Sequence, residues 1–120
     1  MHEMGIASSV LEAVRAEAAR HSGAQPRKVG LRIGELAAVD PSALEFCFEA
    51  LIRETELAEL EIEIEVCSRR HRCPSCGAEF DIKDYAFQCP GCGEAGTECI
   101  GGDQLELAYL ELEEHEPSAA

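Results

Sequence analysis

Two copies of the five-residue pattern C-P-x-C-G constrain the fold of this chain more than any other feature. They occupy residues 73–77 and 89–93, and twelve residues separate Cys76 from Cys89. Two C-x-x-C pairs at this spacing can bring four thiolates into tetrahedral geometry around one ion. Since four thiolates fill every position around such an ion, we expect its role to be structural rather than catalytic. The predicted ligands are Cys73, Cys76, Cys89 and Cys92.

Zinc(II) is the default occupant of this site, and iron in a rubredoxin-like site is the rival, because a four-thiolate tetrahedron suits both metals. Disulfide pairing is the weaker alternative, since the chain has seven cysteines, an odd number, and begins without a secretory signal pattern. Of the remaining cysteines, Cys47 and Cys67 are expected to act as small buried hydrophobic residues. Cys99 is assigned no role.

Charge narrows the classes of partner. The 24 acidic and 10 basic residues give a formal net charge of −14, which repels nucleic acid and anionic lipid. No apolar stretch approaches the roughly 20 residues of a membrane span, and the N-terminus lacks the basic and apolar regions of a signal peptide. We therefore expect a cytoplasmic protein that binds neither nucleic acid nor membranes. The one basic cluster, residues 69–72, either offsets the charge of the thiolates or belongs to a solvated turn.

The spacing of apolar residues predicts two helices outside the cysteine region. A period near four predicts a helix from Met4 to about Arg20, with an apolar stripe at Ile6, Val10, Val14 and Ala18 and with Ala7 and Leu11 alongside. Asp40 as N-cap and Pro41 as first helical residue predict the start of a second helix. The apolar stripe of this second helix is expected at Leu44, Cys47, Phe48 and Leu51.

A period of two predicts three strands, at residues 28–36, 60–67 and 104–114. In the second of these the predicted inner face carries Leu60, Ile62, Ile64 and Val66. The order helix, strand, helix, strand, cysteine lobe, strand indicates an α+β fold. Two helices would pack on one face of a three-stranded sheet, with the four-cysteine zinc-ribbon lobe inserted between the last two strands.

The N-terminus carries a second possible metal site. The α-amine of Met1, the next amide nitrogen and the His2 imidazole can wrap a cation with three nitrogens nearly in a plane, an arrangement that nickel(II) and copper(II) favour. Glu3 can add an oxygen or its own amide nitrogen. The simpler alternative is that His2 is an ordinary solvated side chain and that Glu3 favours the macrodipole of the first helix.

The ordered set of motifs resembles the HypA/HybF family of hydrogenase nickel-incorporation proteins. The set comprises MHE opening directly into the first helix, GEL at residues 34–36, the two C-P-x-C-G knuckles, and a closing strand after GGDQLEL. This resemblance implies a nickel metallochaperone rather than an enzyme. It also implies delivery of nickel, together with the accessory GTPase HypB, to the large subunit of [NiFe]-hydrogenase.

Carried over by residue, the resemblance makes His2 the principal nickel ligand, Met1 and Glu3 its auxiliaries, and the four knuckle cysteines the zinc ligands. Asp40 becomes a candidate supporting carboxylate. The implied domains are a nickel-binding α+β domain at residues 1–67 plus 101–116 and a zinc-binding lobe at 68–100, followed by a flexible tail at 117–120. A zinc-ribbon protein-interaction module and a rubredoxin-like electron carrier are the alternative functions.

Overall fold

A computed structural model of the chain describes residues 2–114, so Met1 and the tail from residue 115, including the predicted flexible segment 117–120, lie outside the described part. The described elements are, in chain order, α1 (Glu3–Ala19), β1 (Gln25–Gly34), α2 (Pro41–Ile52), β2 (Glu61–Cys67), β3 (Arg70–Arg72), β4 (Glu79–Asp81), β5 (Glu98–Gly101) and β6 (Leu105–Glu113). One three-stranded sheet has the order β2-β1-β6, and the other has the order β4-β3-β5.

The described residues divide into two compact units. The helical unit contains residues 2–31, 39–65 and 107–114, and the cysteine unit contains residues 32–38 and 66–106. The α+β class, the two helices, the three-stranded sheet and the clustered cysteines confirm the predicted fold class. Within residues 2–114, every helix is too short or too polar to cross a membrane.

Both predicted helices are present. Helix α1 begins at Glu3, and its buried face consists of Ala7, Leu11, Val14 and Ala18. All four belong to the predicted apolar face, whereas Ile6 and Val10, at its edge, are only half-buried. Helical spacing identifies a face to within about one residue, and the position of the packing neighbour decides which residues lie at its centre.

Helix α2 begins where the capping pattern predicts. The Asp40 side chain accepts hydrogen bonds from the Ser42 and Ala43 backbone N–H groups at 3.0 and 3.3 Å, and Pro41 is the first helical residue. The buried residues are Leu44, Phe48 and Ile52. Cys47 and Leu51, the other members of the predicted apolar stripe, are half-buried. Ile52, one position further along, has the buried place instead of Leu51.

The larger sheet has one buried side and one side that meets water. On β1, Val29, Leu31 and Ile33 are buried, which confirms the alternation of that strand. On β2, Ile62 and Ile64 are half-buried between exposed glutamates. Val66 was wrongly expected on the inner face, because 53% of it is exposed. Alternation predicts which side of a sheet a residue lies on, but not how far along the strand that side is covered.

The water-facing side of the helical unit carries a small polar network. The Lys28 amine contacts the carboxylates of Glu61 and Glu63 at 3.3 and 3.0 Å. The ring of Tyr109 lies against Gly30, in the space that a Cβ atom there would need. The Tyr109 hydroxyl donates to Glu63 and so joins β6 to the same network. These side-chain contacts favour the observed register of β1, β2 and β6 on the exposed side of the sheet.

Candidate metal centre

The two knuckles of the cysteine unit form the same turn twice. In the first, the Cys73 N–H donates to the Ala78 carbonyl and the Gly77 N–H donates to the Cys73 carbonyl, both at 2.8 Å. The second repeats this pattern from Cys89, with distances of 3.0 and 2.9 Å. The closing glycines, Gly77 and Gly93, have φ of +78° and +79°, a left-handed conformation that residues with side chains rarely adopt. The repeated glycine of C-P-x-C-G is therefore required by the turn.

These turns bring the four predicted ligands together. The sulfur atoms of Cys73, Cys76, Cys89 and Cys92 all lie within 4.8 Å of one another. The Sγ atoms of Cys73 and Cys92 are 3.5 Å apart, and those of Cys76 and Cys89 are 3.6 Å apart. A tetrahedral site with metal–sulfur bonds of about 2.3 Å has sulfur–sulfur edges of about 3.8 Å. The cluster therefore has the dimensions of a four-thiolate metal site.

All seven cysteines lie in the described part of the chain, and all are free. The first cysteine of each knuckle is buried and the second is exposed. Cys47 and Cys67 are half-buried rather than buried as predicted, and Cys99 is exposed. Only the knuckle cysteines form a cluster of metal-ligating groups within residues 2–114.

The pKa values of the knuckle thiols bear on whether all four can be ionised at once. At Cys89 the backbone N–H of Cys92 donates to the sulfur and lowers the pKa to about 7, aided by the Gly91 N–H at 3.3 Å. At Cys92 the Glu94 N–H favours the thiolate, but the Cys73 thiol, burial and the other two thiols together raise the pKa to about 12. Four thiolates this close are not all ionised together unless a positive ion offsets their charge.

Strand β3 leads into the first knuckle and lies between β4 and β5 in the smaller sheet, antiparallel to both. Arg70 pairs with Asp81 at 2.9 Å, and Arg72 lies 3.5 Å from Glu98. These contacts match the charges of both arginines with carboxylates on neighbouring strands. Between them His71 is buried, and that burial, with Arg69 nearby, holds the pKa of its ring below the ordinary range.

The GEL and GGDQ segments meet inside the cysteine unit. The Gly34 N–H donates to the Gln104 carbonyl at 2.7 Å, and the Leu36 N–H donates to the Gly102 carbonyl at 2.6 Å. A Cβ atom at residue 34 would collide with the Gly102 carbonyl oxygen. The carboxylate of Glu35 accepts the Arg69 backbone N–H at 2.7 Å. Both motifs therefore have a structural role, because they fix the backbone that leads towards β3.

Two of the three predicted nickel ligands, His2 and Glu3, lie at the start of the helical unit. His2 is exposed, occupies the N-cap position of α1 and makes no capping hydrogen bond with its side chain. Glu3 is half-buried in the first turn, and its Oε2 accepts the Asp40 backbone N–H at 3.3 Å. Glu3 therefore joins the N-termini of α1 and α2. Met1, the third predicted ligand, lies outside the described residues.

Known proteins resemble this chain over nearly its whole length. The family model described as "Hydrogenase/urease nickel incorporation, metallochaperone, hypA" matches residues 1–112. The hydrogenase maturation factor HypA of Geobacter metallireducens is 42% identical over 113 residues, which cover 94% of this chain and 100% of that protein. The factor of the same name from Desulfitobacterium hafniense is 37% identical, with 95% of this chain and 100% of that protein covered.

Solved structures show the same fold. The solution structure of the Ni metallochaperone HypA from Helicobacter pylori has a TM-score of 0.63 at 22% identity, covering 96% of this chain and 100% of that chain. A second solution structure of a HypA protein has a TM-score of 0.67 at 24% identity, covering 93% and 96%. With the family match over nearly the whole chain, these findings confirm the resemblance. The chain belongs to the HypA family and is a metallochaperone of hydrogenase maturation rather than an enzyme.

Proposed function

We propose that this chain binds Ni(II) through Met1, His2 and Glu3 and delivers it during maturation of [NiFe]-hydrogenase. The observation that carries the proposal is the placement of His2. His2 is exposed at the N-cap of α1, makes no capping hydrogen bond with its side chain, and directly precedes a glutamate in the first helical turn. A ligand in this position can bind an ion and then release it to a partner without disturbing the core.

The helix start also makes backbone ligands available. The first N–H groups of an α-helix have no intrahelical acceptor, so an amide nitrogen there can bind a metal without costing a helical hydrogen bond. The proposed donors are the α-amine of Met1, the His2 amide and imidazole, and an oxygen or amide nitrogen of Glu3. Three or four donors of this kind suit the tetragonal geometry of Ni(II). The chelate requires a free α-amine on Met1.

One electrostatic term opposes a cation here. The N-terminus of α1 carries the positive end of the helix macrodipole. The Glu3 carboxylate counters it, since Glu3 lies in the first turn of α1, where its Oε2 also accepts the Asp40 backbone N–H at 3.3 Å. We propose Asp40 as a supporting carboxylate because its backbone N–H contacts Glu3, although the Asp40 side chain caps α2.

We propose that the four knuckle cysteines hold a structural Zn(II). The close approach of the four sulfur atoms supports a divalent ion with thiolate affinity. When bound, the ion offsets the charge of the thiolates and links the two turns. Nitrogen and oxygen donors at one site and sulfur donors at the other allow one chain to retain zinc while nickel moves.

The donor set of the knuckles suits iron as well as zinc, so metal analysis decides between them. Protein purified with its native metal should contain about one zinc per chain and show no visible absorption. A red protein with iron in these sites would favour the rubredoxin-like electron carrier.

Delivery requires partners. We propose that the HypB accessory GTPase and the large subunit of [NiFe]-hydrogenase receive or assist the transfer of nickel, in the cytoplasm. The family description, which names hydrogenase and urease nickel incorporation, supports a nickel-enzyme target. The formal charge of −14 supports partners other than nucleic acid or anionic membranes.

Calorimetric titration of the zinc-loaded protein with Ni(II) tests the proposal. We expect one strong site in the native chain and an affinity roughly tenfold lower or worse in His2→Ala. His21→Ala is the matched control, since His21 is also an exposed histidine, two residues beyond the end of α1 and paired with Glu17 at 3.2 Å. Equal nickel affinity in the native and His2→Ala proteins would contradict the proposal.

A further inference from the structure

His71 is the one buried polar or charged residue of the described chain, with only 4% of its surface exposed. It lies at the centre of β3, two positions before the ligand Cys73. Both ring nitrogens are engaged. Nδ1 lies 2.9 Å from the Thr97 hydroxyl, and Nε2 accepts a hydrogen bond from the Arg69 Nε at 2.8 Å.

The hydrogen-bond directions follow from the partners. The Thr97 hydroxyl donates its single proton to the Phe87 carbonyl at 2.6 Å. It must therefore accept from His71, which places the ring proton on Nδ1. Nε2 is then the acceptor that the Arg69 donor requires. The four groups form one chain of donors and acceptors in which every buried group is satisfied.

These hydrogen bonds join the strand that leads into the first knuckle to the segments before and after the second knuckle. His71 belongs to the strand that enters the first knuckle, Phe87 lies two positions before Cys89, and Thr97 lies beyond the second knuckle. Ring contacts follow the same path. The His71 ring lies 5.7 Å from that of Phe87 and 6.3 Å from that of Phe80. The Arg69 guanidinium stacks on Phe87 at 5.0 Å.

We propose that His71, acting through Thr97, is a positioning residue of the four-cysteine site: it fastens the segments on both sides of the second knuckle to the strand that carries the first. The inference rests on the proposed structural metal. The knuckles are separate turns, each closed by its own backbone hydrogen bonds. Their distance from each other must be set by contacts that link them, and this relay supplies one through the buried His71.

A second contact between the knuckles provides a matched control. The Ser75 hydroxyl donates to the Glu94 carboxylate at 3.2 Å, and this pair is exposed. Water can replace an exposed hydrogen bond at little cost, whereas a buried donor and acceptor left unpaired are costly. If burial of the relay is what positions the second knuckle, loss of the Ser75 hydroxyl should have little effect.

The test compares Thr97→Val, which removes the hydroxyl and keeps the shape, with Thr97→Ser, which keeps the hydroxyl, and with Ser75→Ala. The measurements are the rate of zinc transfer to an excess of a chromogenic chelator and the absorption spectrum of the Co(II)-substituted protein. We expect zinc release at least about fivefold faster in Thr97→Val, the factor for one ordinary hydrogen bond, with a broadened cobalt spectrum. Thr97→Ser and Ser75→Ala should release zinc within about twofold of the native rate.

The possible outcomes separate this inference from the proposed function. A native protein that takes up no Co(II) or Zn(II) would overturn both the structural metal site and the relay. A native protein with one tetrahedral site and an unchanged Thr97→Val variant would overturn the relay alone. Nickel titration of Thr97→Val should match the native chain. Circular dichroism checks that the helices are intact, and His71→Gln supplies a second variant if Thr97→Val does not fold.

Discussion

Replacing Asp40 with alanine removes the side chain that closes the N-terminus of α2. In the native chain Oδ1 of Asp40 accepts two backbone N–H groups at 3.0 and 3.3 Å. Loss of such a cap lowers the free energy of unfolding by about 1 kcal/mol, with a range of about 0.5–2. With a urea dependence of about 2 kcal/mol per M, the midpoint should fall by about 0.5 M.

Asp40→Asn is the matched control, because asparagine caps helices about as well as aspartate but carries no charge. Urea unfolding of the zinc-loaded proteins, followed by circular dichroism at constant zinc, should place Asn near the native midpoint and Ala clearly below it. An Ala variant with the native midpoint would refute the capping argument. Nickel titration of Asp40→Asn adds a second result, since lower nickel affinity at unchanged stability would assign the Asp40 carboxylate to the metal.

Three further predictions concern the core, the exposed sheet face and the metal lobe. Phe48→Ala should lower the free energy of unfolding by about 3–5 kcal/mol because Phe48 is fully buried. Phe46→Ala, at a position that is 68% exposed, should change this free energy by less than about 0.5 kcal/mol. Urea titrations measure both values. Lys28, and to a smaller extent Tyr109, lower the pKa of Glu63 below its ordinary value of 4.5. The stability that Glu63 contributes is therefore present above pH 4.5 and is lost as the pH falls through the pKa of Glu63 in the folded state. Glu63→Gln should therefore be less stable than the native chain at pH 7, and the difference in unfolding free energy should shrink in acid; a difference independent of pH would contradict this. Removal of zinc by a chelator should abolish the folded-state amide NMR signals of β3, β4 and β5 while the helical circular dichroism signal persists. Folded-state signals retained by these strands would argue against a structural metal.

Local chemistry made some of these features predictable from sequence. The start of α2 follows from Asp40 and Pro41 alone, because capping depends on adjacent residues. The four-sulfur cluster follows from the spacing of the knuckle cysteines. The pattern does not determine which apolar residues are buried, as Val66 and Ile52 show, because burial depends on packing partners distant in sequence.

The smaller sheet was missed for a physical reason. Its strands contain only three or four residues, too few for alternation to be visible. The knuckle turns, ion pairs and the His71 relay stabilise these strands, which carry no row of alternating apolar side chains. His71 itself lies between arginines in a segment that indicates an exposed, charged turn. The signal that could have identified it is strand alternation at residues 70–72, which turns one residue inwards between two that face water.

The role of His2 remains a prediction that depends on its position as much as its identity. A nickel titration of a chain extended by two residues before Met1 tests this most directly, since the extension keeps every native side chain and displaces only the free α-amine. The terminal chelate predicts that the extended chain loses the strong nickel site while its zinc content and helical signal stay native. Nickel binding of equal strength in the native and extended chains would contradict the account.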